Sequence, residues 1–459
     1  MDDRSGKNRW AAGAAWSAGF MVLVLTARTA PADPPAPADP PAVEPAPEHG
    51  DGPFDGRGGD AGHWPPEWPR SPFPSRSGIG RDTVRHRMAG YDPRTDAAVA
   101  EALRWLAAHQ SPNGGWEAAG FHHWCNGKPA GGQKPDGQGK ALYDVGVTGL
   151  ALTAYLGAGY TNRGDHEFAR SIARGIKYLK DIQDPEGCFS PRSHQQYIYN
   201  HALATLAMVE AYGMTGSSIF KGPAQRGLDF AALARNPYFA WRYGIKPGDN
   251  DTSVTGWMTN VITSAHAINA AAIASGRQAP LHVDPGALDG VRNWVQKMTD
   301  PETGRVGYIQ RGMGPARPAG LVDRFPPDRS ESMTAAGILM RVYTRENPAT
   351  SEVIQRGVKR CLARLPVWNV IDGSIDMAYW HFGTQALHQV GGEAWATWKA
   401  ALETALVDTQ RRDTDACLFK GSWDPVGPWG PDGGRVYSTA LMALCLEAPY
   451  RYERVYPDD

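Results

Sequence analysis

Six times between Asp92 and Arg454 the chain passes through the same order of features: an amphipathic helix, a turn carrying glycine and an aromatic residue, and a second helix that is polar only at its start. The first members include AVAEALRWLAAHQ, FARSIARGIKYLKDIQ, AQRGLDFAALAR and VIQRGVKRCLARL. Their turns include Asn113-Gly114-Gly115-Trp116, Glu186-Gly187-Cys188-Phe189, Phe239-Ala240-Trp241, Gly304 to Tyr308 and Lys420-Gly421-Ser422-Trp423. The second members begin near Tyr143, Tyr199, Asp251, Glu331, Tyr379 and Tyr437, with starts 48 to 80 residues apart. A helix that is apolar on most faces is stable only when surrounded, whereas an amphipathic one needs a single covered face. The pattern therefore predicts an all-α fold in which six hairpins place the apolar helices inside and the amphipathic helices outside. Closing them into a ring gives a single (α/α)6 toroid. An open solenoid is the competing arrangement, but neither terminal hairpin has the polar outer face that a solenoid end requires.

The toroid is expected over residues 91–459. Residues 31–90 are rich in Pro, Gly and Asp and read as an extended, disordered tether. Residues 1–30 carry Arg4, Lys7 and Arg9, followed by an uncharged run from Trp10 to Ala27, which reads as an export signal or an N-terminal membrane anchor. Residues 10–27 would attach the protein to the membrane, and the toroid would lie on its periplasmic or extracytoplasmic side. A net charge of -1 gives no electrostatic ground for a nucleic-acid partner. Five cysteines with no CxxC pair signal neither a zinc knuckle nor a full disulfide framework. A single Cys125–Cys188 bridge suits an oxidising compartment, and free buried thiols are the other reading. His122-His123 with Cys125 has a ligand-like look, yet sits in a glycine-rich stretch that reads as surface loop.

All six inner helices point their starts to one end of the ring. Polar groups there would converge on one mouth of a central cavity, the arrangement a ligand pocket needs. Residues placed at or near that mouth are Tyr199, His201, Asp249, Asp251, Glu331, Tyr379, His381, Arg435 and Tyr437, with Trp257 further in. The stretch Asp249-Asn250-Asp251-Thr252-Ser253 is the densest group of acidic and small polar residues, and it opens an apolar helix. On the residues alone, Asp251 is either the N-cap of that helix or an acid serving the cavity.

Gln110 with Gly114-Gly115-Trp116, Gln183 with Gly187-Cys188-Phe189, and Gln410 with Gly421-Ser422-Trp423 resemble the Gln/Trp repeats of squalene-hopene and oxidosqualene cyclases, and more loosely those of protein prenyltransferase β subunits. The resemblance covers roughly Asp92 to Arg454 and implies the α/α toroid of the terpenoid cyclase superfamily. Asp249-Asn250-Asp251-Thr252 is similar to the Asp-x-Asp-Asp-Thr motif of squalene-hopene cyclases, whose middle Asp protonates a terminal alkene. This resemblance implies Asp251 as general acid, Asp249 as its acidic neighbour, Glu331 or His201 as groups setting its acidity, and an isoprenoid or other apolar small molecule as ligand. The chain departs from the motif at Thr252, where the family has a further Asp. Trp257, Tyr379 and Tyr437 would shape the cavity and offer π faces to carbocations. The zinc of protein prenyltransferases needs a Cys at an inner-helix start, and none is present. No metal or other cofactor is therefore expected. Two further functions stay open: a non-catalytic toroid that binds a lipid, glycan or protein, and a polysaccharide lyase whose mouth uses Arg242, Arg435 and His381 on uronates.

Overall fold

In the computed structural model the described residues are 71–76, 78–87, 91–125, 135–412 and 417–457. The chain divides into two units, Met1–Pro53 and Phe54–Asp459, and every described residue lies in the second. Residues 10–27 lie outside the described residues. Among the described residues no helix is long and apolar enough to cross a membrane.

Among the described residues there are thirteen α-helices and no strand. A short helix, α1 (Gly78–Arg87), precedes six pairs. The outer members are α2 (Pro93–Ala108), α4 (Ala169–Ile182), α6 (Ser218–Ala234), α8 (Ala287–Met298), α10 (Glu352–Leu362) and α12 (Gly392–Val407). The inner members are α3 (Asp144–Gly157), α5 (Tyr197–Thr215), α7 (Thr252–Ala274), α9 (Ser332–Tyr343), α11 (Met377–Val390) and α13 (Gly430–Arg451). Each inner helix packs against the next, and α13 packs back against α3. The ring is closed, and the open solenoid is excluded. Burial follows: every residue of α9 and all but one of α5 are buried, whereas outer α4 and α10 bury one stripe each. The last inner helix is broken at Gly434, whose φ of 65° suits glycine; regular helix resumes at Arg435.

The repeated turn explains itself atom by atom. The Gln110 amide donates to Gly114 O of its own turn and to Ser171 O at the start of α4. Gln183 does the same to Gly187 O and Pro223 O. Gln410 donates to Gly421 O at 2.9 Å and to Ala98 O of α2 at 2.7 Å, so the last outer helix is stapled to the first. Gly114, Gly187 and Gly421 have φ of 95°, 96° and 90°, and a Cβ on any of them would strike a carbonyl of the neighbouring outer helix. Trp116, Trp241 and Trp423 are fully buried, and each indole N–H donates to a carbonyl of the preceding outer helix. Gln410→Ala removes two buried hydrogen bonds and takes the side-chain donor from Gly421 O, while Ala98 O keeps its place in the hydrogen-bond ladder of α2. It is expected to lower stability by roughly 1–3 kcal/mol in a denaturant titration.

One boundary differs from the sequence reading. Residues 71–87, placed there in the tether, carry a 3-10 turn (Pro74–Arg76) and α1. Arg76 is buried and donates to both oxygens of Glu210 (α5), at 2.8 and 3.2 Å, and to Arg451 O (α13). Phe73 stacks against the Arg76 guanidinium and lies beside Gly213 (α5) and Ile268 (α7). Arg81 donates to Ala158 O, just past the end of α3. The segment thus covers the trailing ends of the inner helices. Its composition is poor in apolar residues because charge pairs anchor it instead.

Candidate active site at the leading ends of the inner helices

A buried carboxyl opens α7. Asp251 is the N-cap: its Oδ1 accepts from Val254 N at 2.8 Å, satisfying one of the free amides of a helix start. Capping therefore holds true, yet it uses only one oxygen. Oδ2 is buried with no hydrogen-bond partner, and the nearest cation, Arg242 Nε, is 3.9 Å away. Asp251 is 0% exposed. Burial pushes its carboxyl up to about 7, against the pull of the Val254 amide, Arg242 and the Ser253 amide, with Asp249 adding a smaller upward push.

Asp376 shows what the same position looks like when it serves structure alone. It caps α11 through Tyr379 N, is buried to 2%, and its second oxygen accepts from Ser330 Oγ at 2.9 Å and pairs with Arg317 at 3.0 Å. One buried cap is satisfied on both oxygens; the other is left with one oxygen open.

Around that open oxygen stand tyrosines. The Tyr199 hydroxyl (α5) donates to Ser253 Oγ at 3.0 Å, and the Tyr243 and Tyr308 hydroxyls are 2.7 Å apart. Burial, then the Asp251 charge, raises all three phenols, so they stay protonated. Tyr143, just before α3, and Tyr437, in the first turn of α13 after its break, are likewise raised by burial, with Asp432 contributing. Deeper along α7, Trp257 stacks on His381 at 5.0 Å and tilts against Phe382 at 5.1 Å. Those residues come from α7 and α11, which are not ring neighbours, so the contact crosses the interior. His381 Nε2 lies 2.6 Å from Gln385 Nε2, its Nδ1 has no partner, and burial lowers it to about 3.

Tyr199, Asp251, Trp257 and His381 are thus interior residues, with Tyr437 at the α13 end of the mouth. The other expected residues lie elsewhere. Asp249 is 56% exposed and paired with Arg242 on the rim, and from there it adds the smaller upward push on Asp251 expected of an acidic neighbour. His201 turns outward: its Nδ1 accepts from Phe189 N, its Nε2 meets Thr205 Oγ1, and its ring packs between Phe189 and Phe230. Glu331 also turns outward, to Arg360 at 2.7 Å and Arg305 at 3.6 Å. Neither can set the acidity of Asp251. Tyr379 donates to Cys361 O and packs edge-on to Trp398 of α12, in the outer layer. Arg435 is 0% exposed, bound to Ser422 Oγ and Asp424, so Arg242, Arg435 and His381 do not share an open uronate-binding mouth. Tyr243 and Tyr308 were missed as site residues. Both sit in glycine-aromatic turns, the one signal that could have found them.

The cysteine pairing is also corrected. Cys125 is joined to Cys417, with Cα atoms 6.1 Å apart, while Cys188, Cys361 and Cys445 are free and buried. Ring closure brings the first and last turns together across 292 residues, a proximity no spacing rule could supply.

The described helices form an α/α toroid with a buried carboxyl at the leading end of one inner helix. Residues 82–230 match the family described as squalene-hopene cyclase C-terminal domain, and over that stretch the chain is squalene-hopene cyclase-like. Dammaradiene synthase of Dryopteris crassirhizoma is 30% identical over 125 residues, which is 26% of this chain and 18% of that protein. The match thus spans less than a fifth of that relative, and Asp251 lies beyond the residues matched by the family. Among solved structures, an alpha-1,6-mannanase of Salegentibacter sp. is 10% identical at a TM-score of 0.49, covering 77% of this chain and 98% of that one. A type II terpene cyclase from Scytonema, in complex with geranylgeranyl dihydroxybenzoate, is 12% identical at 0.46, covering 78% and 97%.

Proposed function

We propose that this protein is a proton-initiated cyclase of an isoprenoid, with Asp251 as the general acid. The observation that carries the reading is the unpartnered, fully buried Oδ2 of Asp251, on a carboxyl that burial raises to about 7. A carboxyl of that kind keeps a large protonated fraction at neutral pH and has a hydrogen to give. In the proposed step, Oδ2–H transfers its proton to the terminal alkene carbon that leaves a tertiary cation. Neighbouring π bonds of the substrate then close on the cation, and the cascade ends when a carbon loses a proton or captures water. The carboxylate left behind takes its next proton from solvent past the Tyr199, Tyr243 and Tyr308 hydroxyls. Trp257 and Phe382 lie further in, packed with His381, and there their quadrupoles would hold cationic carbon. We place the reaction on the outer side of a membrane, the side to which residues 1–30 would deliver the chain and in which squalene-like hydrocarbons dissolve.

The test is to incubate the full-length protein with squalene in detergent and analyse the extract by gas chromatography with mass spectrometry. Polycyclic products of unchanged or water-added mass are expected. Return of the linear hydrocarbon alone, over a range of pH from 5 to 8, would remove squalene as substrate. A non-catalytic lipid-binding toroid is the reading that such a result would favour.

A further inference from the structure

On the outer side of the ring, away from α7, three soft ligand groups meet. His109 follows the last turn of α2, Cys125 lies in the loop after the first glycine-aromatic turn, and Cys417 lies between α12 and α13. One ring nitrogen of His109 and the two sulfurs all lie within 4.8 Å of one another. His109 Nδ1 is 2.7 Å from Trp105 O, a bond that assigns the ring proton to Nδ1 and leaves a lone pair on Nε2. That Nε2 is buried and has no partner. The ring cannot turn to find one, because Trp105 stacks on it at 4.2 Å and Phe121 closes in at 5.8 Å. An imidazole fixed by a backbone carbonyl on one nitrogen, with the other buried and unpartnered and two sulfurs within 4.8 Å of the ring, is the arrangement of a metal-binding histidine.

The Cys125–Cys417 disulfide uses both sulfurs and gives the Nε2 lone pair nothing to bind; a cation would use all three groups. We propose that, once this disulfide is reduced, His109, Cys125 and Cys417 form a three-ligand site for Zn²⁺. The steps balance. A phosphine or dithiol reductant supplies two electrons and solvent two protons, converting the disulfide into two thiols. The cation then displaces those two protons to solvent, and two thiolates with one neutral imidazole cancel its charge. A tetrahedral site needs the sulfurs about 3.7 Å apart, which side-chain rotation permits at a Cα separation of 6.1 Å. Cys125 opens onto a hollow lined by Pro112, His123, Trp124, Arg170 and Arg174, which gives the ion a way in and leaves the fourth position to water. Cys188, Cys361 and Cys445 are buried elsewhere and serve as an internal control.

The experiment titrates Co²⁺, as a spectroscopic stand-in for Zn²⁺, into the full-length protein before and after a phosphine reductant. The reduced protein is expected to bind one equivalent, with a thiolate-to-cobalt charge-transfer band and the visible bands of a tetrahedral ion, and Zn²⁺ should bleach both. The oxidised protein should show neither. Cys125→Ser and Cys417→Ser are expected to lose the band, and His109→Ala to weaken binding on the order of 100-fold. Circular dichroism confirms that each variant remains helical. Absence of the band in reduced wild-type protein overturns the proposal without reference to any variant. So does a band that persists in both serine variants, or undiminished affinity in His109→Ala; in those cases the pair is a disulfide and nothing more.

Discussion

Asp251→Asn is expected to lose cyclisation by at least about 100-fold, the lower range of what general acid catalysis contributes, while leaving the fold intact and making it more stable above neutral pH. Asn matches Asp in shape, and its side-chain oxygen can still accept from Val254 N, so α7 keeps its cap. What it lacks is an acidic hydrogen. The stability effect follows from the sign of the shift. The folded-state carboxyl titrates at about 7 and the unfolded one near 3.8. The protonated folded form is thus favoured below pH 4, and that advantage is lost as pH rises through 7. Asn never ionises. Its advantage over wild type should grow between pH 4 and 7 and then level off, at roughly 2–4 kcal/mol. Denaturant midpoints at pH 5 and pH 8 measure it. An equal difference at both values would mean that Asp251 is already ionised in the folded protein, and the acid role would fall with it.

Glu210→Ala should be the most damaging single change to stability, by roughly 3–5 kcal/mol. Glu210 is 1% exposed and accepts from Arg76, from Arg451 and from Ser264. Burial alone would push its carboxyl up, but Arg451 and Arg76 outweigh that and hold it below its ordinary value. Without it, two guanidiniums face each other inside the ring, and the carboxyl that remains beside them, Glu447, is pushed toward its neutral form by burial. Arg76→Ala removes only one of them and should cost less, mainly by undocking residues 71–87. Limited proteolysis would report that undocking as new cleavage before residue 91, and a Glu210→Ala melting curve superimposable on wild type would show that the triad carries no stability.

The hairpin pattern was readable because each cue had one physical cause. A glutamine staple, a glycine beneath a carbonyl and an aromatic plug two residues on recur in the same order, and the inner starts expected at Tyr143, Asp251 and Glu331 fall one residue from the helices observed. Which way a side chain points was less readable. One residue along a helix is a turn of about 100°, and a helix buried on all sides offers no polar stripe from which to set the phase. Tyr199 therefore faces the mouth while His201, two positions on, lies against Phe230. In α11 the order is reversed: Tyr379 reaches α10 and α12, and His381 reaches Trp257. Asp251 was found because a helix start fixes position without reference to phase. Arg76, Tyr308 and Cys417 were not, since each acts only through a neighbour far away in sequence.

The staple from Gln410 to Ala98 has a consequence for biosynthesis. The two groups it joins are 312 positions apart, so the circle cannot shut until nearly the whole polypeptide has left the ribosome. Until then α2 and α3 lack the neighbour that α13 will supply, and their flanks remain open to water. A nascent chain of this kind is exposed to misassociation for most of its synthesis, and its vulnerability ends with the arrival of the final hairpin.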